Sequence, residues 1–293
     1  MIKYIVMVFA GACSFGILST FVKLAYREGY SAAELTFSQA LISMLFLWVL
    51  SVWREKARQA GSPQRIPGKV WLSLLLTGAA IGLTTYVYYL SVIYIPASLA
   101  VVILMQFTWM SALLEWLCFK KRPGGAQLAI MIVILCGTVM ASGLANVHLT
   151  DMPVRGIGYA LGSALLYALY VVASSRTVKE VPPLRKSAII MAGFALGILV
   201  FNVGELWAHR HFDIGLIKWI LFLSLFGALI PQVLFAKGIP QVGAGISAII
   251  MTAELPVAVI AAHLILGELV DGWQWVGIAV MLLAMALMNR RAK

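Results

Sequence analysis

Glu254 is the residue with the most chemistry to explain. It stands about eleven residues into an apolar stretch near 242–266, with Thr252 before it and Pro256 after it. At about 1.5 Å of rise per helical residue, its carboxylate would lie close to mid-membrane if that stretch crosses a bilayer. An acid at such a depth costs at least ~2.5–3.5 kcal/mol, which marks it as functional by default. Two roles suit it. It can bind a substrate ammonium or cycle a proton, or it can be a structural carboxylate hydrogen-bonded to a neighbouring helix. Pro256 has no N–H to donate and frees a carbonyl near residue 252, so it reads as a hinge.

Aromatic residues form a second group. Tyr86 and Tyr89 are three apart, as are Tyr167 and Tyr170, so each pair shares a helix face. Trp109 comes one turn after Gln106. Tyr and Trp ordinarily gather at membrane interfaces, and mid-span tyrosines depart from that habit. Rings beside a carboxylate suit an amphipathic or cationic organic solute. The plainer alternative is that each ring packs between helices with its hydroxyl satisfied. Gln232, next to Pro231, and Ser14 complete the substrate-binding candidates.

Other chemistries find little support. No P-loop, HExxH, GxSxG or GxGxxG stands in a suitable context, and Cys13, Cys118 and Cys136 belong to no CxxC or Cys/His cluster. Neither a cofactor nor a metal is expected. The His209-Arg210-His211 run reads as a connecting loop. His263, nine residues from Glu254, falls on the opposite side of a regular helix. An intramembrane lipid-modifying enzyme would need converging polar groups at one depth, and Glu254 and Gln106 are the two on offer.

The elements holding these residues are set by composition. The 293-residue chain is 62% hydrophobic and 11% charged, with a mean hydropathy of +0.97. A soluble domain carries about 25% charged residues, so lipid must replace the missing polar surface. The net charge of +11 sits in short loops between apolar runs, which excludes nucleic acid as the natural partner. Lys3 and the apolar run to Cys13 look faintly like a signal peptide. The run continues to Tyr26, however, long enough to span, and is read as helix 1.

Apolar stretches near 4–25, 34–53, 70–91, 96–118, 125–145, 155–175, 186–207, 215–236, 242–266 and 273–289 predict ten transmembrane helices in an all-α membrane protein. Seventeen of the 22 Lys and Arg fall on the side of the N-terminus, which predicts that both termini are cytoplasmic. Gly78-xxx-Gly82, Gly158-xxx-Gly162 and Gly193-xxx-Gly197 predict close helix packing. Glu115, Glu268, Lys23 and Lys237 lie near helix ends, where water or headgroups would reach them.

The chain divides into 1–147, with helices 1–5, and 148–293, with helices 6–10. Five is odd, so two such halves form an inverted repeat. A shift of 148 residues sets Gln106 against Glu254, Lys120 against Glu268 and Pro123 against Asp271. The stretch Ala253-Glu254-Leu255-Pro256-Val257-Ala258-Val259, continuing to Leu264-Ile265-Leu266-Gly267-Glu268, resembles the Glu/Pro-centred helix and Leu-Gly-Glu turn of the drug/metabolite transporter superfamily, in its ten-helix EamA-type branch. The resemblance covers essentially the whole chain. It implies a cavity between the halves and export of amino acids or other small metabolites. Short loops suit a multi-pass protein of a bacterial cytoplasmic membrane.

The expectation is a secondary transporter, not an enzyme. It would export small amphipathic metabolites such as amino acids or organic amines by alternating access, with protons as a possible coupling ion. A proton-coupled small-cation or multidrug exporter is the alternative. Both halves lie in one chain, so a monomer suffices.

Overall fold

Backbone amides in lipid have no water to pair with. The computed structural model describes residues 2–57, 66–141, 153–177, 181–208 and 214–291, and every regular element among them is a helix. The expected boundary at 147/148, the basic segment from Arg58 to Arg65, Lys179 and the His209–His211 loop lie outside the described residues.

The helices group into ten spans. Span 1 is α1 (Ile2–Gly16) and α2 (Leu18–Arg27); spans 2 and 3 are α3 (Ala32–Ala57) and α4 (Gly68–Tyr94). Span 4 is α5 (Ala97–Leu104) with α6 (Phe107–Phe119), and span 5 is α7 (Gly125–Ala141). Spans 6 and 7 are α8 (Val154–Ser175) and α9 (Pro183–Ala208). Span 8 joins α10 (Ile214–Ser224) to α11 (Ile230–Val242) through a π-helical turn at Leu225–Leu229. Span 9 is α12 (Ala244–Met251), α13 (Glu254–Ala261) and a π turn at Ala262–Leu266; span 10 is α14 (Gly272–Arg291). Among the described residues eight helices are long and apolar enough to cross a membrane, and Gly125–Ala141 and Gly272–Leu287 are shorter apolar helices.

Local sequence sets several boundaries. Ser31 and Glu34 start α3 with a capping box, the Glu34 carboxylate accepting from Ser31 N at 2.9 Å and Ser31 Oγ from Glu34 N at 3.2 Å. Helix 8 runs six residues beyond the expected 236. Pro240 is carried inside its last turn, and the helix ends where Gly243 adopts φ 90°. Upstream, Pro231 has no N–H for the preceding turn, and the helix widens there into its π turn.

Packing obeys an exchange rule. Span 5 packs on span 10 and span 2 on span 7. Span 3 packs on span 6 as span 8 packs on span 1, and span 4 meets span 6 as span 9 meets span 1. When the first five spans are exchanged with the last five, the 5–10 and 2–7 contacts map onto themselves and the others onto one another, as an inverted repeat demands.

The register of that repeat differs from the sequence expectation by one residue. α5 and α12 start at 97 and 244, α6 and α13 at 107 and 254, and α7 and α14 at 125 and 272, each an offset of 147. The left-handed caps Lys120 (φ 54°) and Gly267 (φ 71°) share that offset. Phe107, not Gln106, is therefore the counterpart of Glu254. Sparse identities could not fix the register, whereas helix starts and caps do.

Two of the three glycine pairs make close contacts. A Cβ on Gly78 would collide with the backbone of Ile190 and lie 3.0 Å from Gly193 Cα; one on Gly82 would sit 2.9 Å from Phe194 O. This seats α4 directly on α9. Gly158 meets nothing within 4 Å and Gly162 only Val87 at 3.8 Å, so that pair is not a packing seam.

Candidate functional site

Spans 4 and 9 both break half-way. Met105-Gln106 and Thr252-Ala253 are turns in which 3₁₀-type bonds replace the α ladder, such as Gln106 N to Ile103 O at 3.1 Å and Ala253 N to Ile250 O at 3.1 Å. Thr108 and Thr252 hydroxyls each donate to the carbonyl three residues earlier, both at 2.7 Å. Pro256 lies in the first turn of α13, where its missing donor costs no helical bond. Span 4 breaks without a proline, so the interruption belongs to the repeat and Pro256 accommodates it.

These breaks create two helix starts inside the protein, and both converge on Tyr167 of α8. The Phe107 ring, opening α6, lies 4.5 Å from the Tyr167 ring. Glu254 opens α13 and accepts a hydrogen bond from the Tyr167 hydroxyl. Tyr170 stacks on Tyr167 at 6.1 Å and donates to Gln232 Oε1 at 3.2 Å. Phe15 closes the other side of Tyr167, also at 6.1 Å. Glu254 is 2% exposed and both tyrosines are fully buried.

α1 meets Glu254 backbone to backbone. A Cβ on Gly16 would stand 2.6 Å from Glu254 O and 3.0 Å from Val257 Cβ, so only glycine admits this approach. Cys13, one turn earlier, is half-buried. Ser14 donates to Phe226 O in the π turn of span 8 at 2.7 Å, capturing a carbonyl that the widened turn exposes. It joins span 1 to span 8.

The remaining candidates separate. Tyr89 is fully buried in a neighbouring cluster, donating to Gln39 Oε1 at 3.2 Å while its carbonyl accepts from Tyr26 at 2.9 Å. Tyr86 is half-buried against the core. Gln106 and Trp109 pair with each other, the indole N–H donating to Gln106 Oε1 at 3.0 Å, and Trp109 is 39% exposed on the outer side of α6. Phe107 is buried on the inner face while Trp109, two residues on, lies on the outer one, so the Gln106–Trp109 pair does not line the centre. His263 Nδ1 donates to Glu268 O at 2.8 Å, and the ring sits edge-on to Trp275, far along span 9.

Sequence reasoning missed Gln39, Tyr88 and Phe107. Gln39 was detectable: a mid-span amide carries the same signal as Gln232. Tyr88 is buried with its ring 6.3 Å from that of Tyr89. The Nε2 groups of Gln39 and Gln232 are buried without a hydrogen-bond partner among the described residues, leaving donors for a ligand.

No cation pairs with Glu254 among the described residues. The ion pairs lie at the two ends of the bundle instead. At one end Lys23 of α2 bridges Glu268, after span 9, at 3.0 Å. At the other, Arg176 and Lys121 reach Glu115 at 3.4 and 3.3 Å. Glu115 is 8% exposed, more deeply buried than its position near a helix end suggested, because two cations enclose it. Under the repeat exchange these pairs correspond: the end of the repeat's first span pairs with the region closing its fourth.

Fold and centre together define a ten-helix membrane protein whose two halves meet around a buried acid and its tyrosine. The chain belongs to the EamA-like transporter family, whose model matches residues 2–143 and 154–290. It is thus a multi-pass membrane transporter of a small molecule. The uncharacterized transporter sll1319 of Synechocystis sp. is 25% identical over 279 residues, covering 89% of this chain and 82% of that protein. The uncharacterized transporter YwfM of Bacillus subtilis is 27% identical over 179 residues, 60% of this chain, and the match spans 58% of YwfM. One crystal structure matches with a TM-score of 0.68 at 18% identity, over 94% of this chain and 96% of that one, a likeness of fold.

Proposed function

We propose that the protein is a secondary transporter that exports small amphipathic metabolites bearing a cationic group, amino acids or organic amines, by alternating access around Glu254. The observation that carries this reading is the buried carboxylate with no cationic partner among the described residues. A buried charge is ordinarily paired, so a substrate ammonium or a proton is the natural complement. The aromatic rings of Tyr167, Tyr170, Phe107 and Phe15 suit the organic part of such a solute, and the free amide of Gln232 offers a hydrogen bond.

Movement of one half against the other would break the Lys23–Glu268 pair at one end and the Glu115 pairs at the other in turn. The asymmetry of Lys and Arg supports cytoplasmic termini, short loops suit a bacterial cytoplasmic membrane, and a single chain supplies both halves. A second reading, a proton-coupled exporter of small organic cations, rests on the same carboxylate: protons and cations would alternate at Glu254.

Purified protein in liposomes tests both. Efflux of radiolabelled amino acids and organic amines is measured with and without a pH gradient, for wild type and Glu254→Gln. The expected result is solute flux in wild type and its loss in the variant. Gradient-driven accumulation unchanged by Glu254→Gln would remove the carboxylate from the mechanism.

A further inference from the structure

At the end of the bundle that holds the N-terminus, a cavity of about 280 Å³ opens between the starts of α1 and α9 and the end of α11. Three lysines line it: Lys3, Lys186 and Lys237. Lys186 is 2% exposed. Its one hydrogen bond among the described residues is to a neutral group, Thr177 Oγ1 at 3.3 Å. Thr177 in turn donates to Ser174 O at 2.7 Å, so its hydroxyl oxygen is turned toward the ammonium.

The placement opposes local physics twice. A buried ammonium needs a counter-charge, and the described carboxylates are engaged elsewhere. Glu28 holds Lys218, Glu34 caps α3, Glu115 holds Arg176 and Lys121, Glu254 holds Tyr167, Glu268 holds Lys23, and Asp271 caps α14. Lys186 also sits in the first turn of α9, where the helix dipole already presents positive charge and disfavours a cation. Pro183, the first residue of that helix, lines the same cavity. Conflicts of this kind collect at functional sites. Elsewhere in the protein a lysine finds a carboxylate, as Lys218 does with Glu28 at 2.7 Å.

We infer that this cavity is a binding site for an oxyanion, the carboxylate or phosphate of a solute or of an anionic lipid headgroup, with Lys186 as its anchor and Lys3 and Lys237 as its rim. The site lies apart from the Glu254 centre and does not depend on the reading of that centre. An anionic group seated here supplies a counter-charge that no described carboxylate gives Lys186, and three ammonium groups with the α9 N-terminus surround it.

The test is a thermal-unfolding titration of the detergent-purified full chain at constant ionic strength. Inorganic phosphate and acetate serve as probes, chloride as control, for wild type, Lys186→Met and Lys237→Gln. A second arm repeats the titration in nanodiscs of phosphatidylcholine with and without phosphatidylglycerol. The expected result is a saturable stabilisation by phosphate or acetate in wild type. Lys186→Met should weaken apparent affinity by about tenfold or more, the loss of one charge-assisted bond, and Lys237→Gln by less. Removing a buried charge should leave Lys186→Met folded. Phosphatidylglycerol that stabilises wild type and not Lys186→Met, while displacing phosphate, assigns the site to lipid; indifference to it assigns the site to a soluble anion. Absence of saturable stabilisation in both arms, or equal stabilisation of wild type and Lys186→Met, overturns the inference.

Discussion

Tyr167→Phe and Glu254→Gln together separate a working acid from a structural one. Tyr167→Phe keeps the ring between Phe15, Phe107 and Tyr170 and deletes the hydroxyl that donates to Glu254. The carboxylate is 2% exposed, so losing its hydrogen bond should cost about 1.5–3 kcal/mol. Glu254→Gln keeps the volume and leaves a carboxamide oxygen to accept from Tyr167, while removing a buried charge. Its stability should stay within about 1 kcal/mol of wild type or rise. In the Glu254→Gln background, Tyr167→Phe deletes a neutral hydrogen bond and should cost only ~0.5–1.5 kcal/mol, giving a coupling near 1 kcal/mol. Equilibrium unfolding in mixed detergent–SDS micelles, monitored by circular dichroism, reads these values. Liposome flux is measured on the same samples. The reasoning expects Glu254→Gln to be as stable as wild type and inactive in flux. A Glu254→Gln protein destabilised as much as Tyr167→Phe, yet transporting normally, would make the carboxylate architecture.

Other consequences are simpler to read. Gly78→Ala drives a methyl into the Ile190 backbone and should destabilise by about 1–3 kcal/mol, whereas Gly158→Ala, which meets nothing, should be neutral in the same unfolding assay. Ser14→Ala removes the bond to Phe226 O and should cost about 1 kcal/mol, measured against wild type. Glu268→Gln and Glu115→Gln each release one end. The Lys23–Glu268 pair is partly exposed and worth about 1 kcal/mol at most, so in Glu268→Gln maleimide labelling of Cys13, with Cys118 and Cys136 replaced by Ala, should quicken by up to about fivefold. In Glu115→Gln, whose carboxylate is buried, it should quicken by at least as much. The two variants should favour opposite faces of oriented vesicles, and equal labelling from both faces would refute paired gates.

Length, hydropathy and the odd number of spans per half made the architecture readable before any coordinates. Ten apolar runs were legible because lipid imposes a minimum helix length and forbids unpaired backbone. Glu254 was legible because an acid in such a run has no inexpensive explanation. Its partner Tyr167 was named, but no pattern along the chain joins residues 87 positions apart. Register was beyond the sequence too: with few identities, offsets of 147 and 148 looked alike, and helix starts and caps were needed to replace Gln106 by Phe107. Trp109 illustrates a related limit: a regular helix separates it from Phe107 by about 200°, but packing decides which of the two faces inward, and here Phe107 is buried and Trp109 exposed. The lysine cavity depends on three residues from three helices. Composition reported their charge, but only packing decides whether an ammonium meets a carboxylate, as at Lys218, or is buried with none beside it among the described residues, as at Lys186.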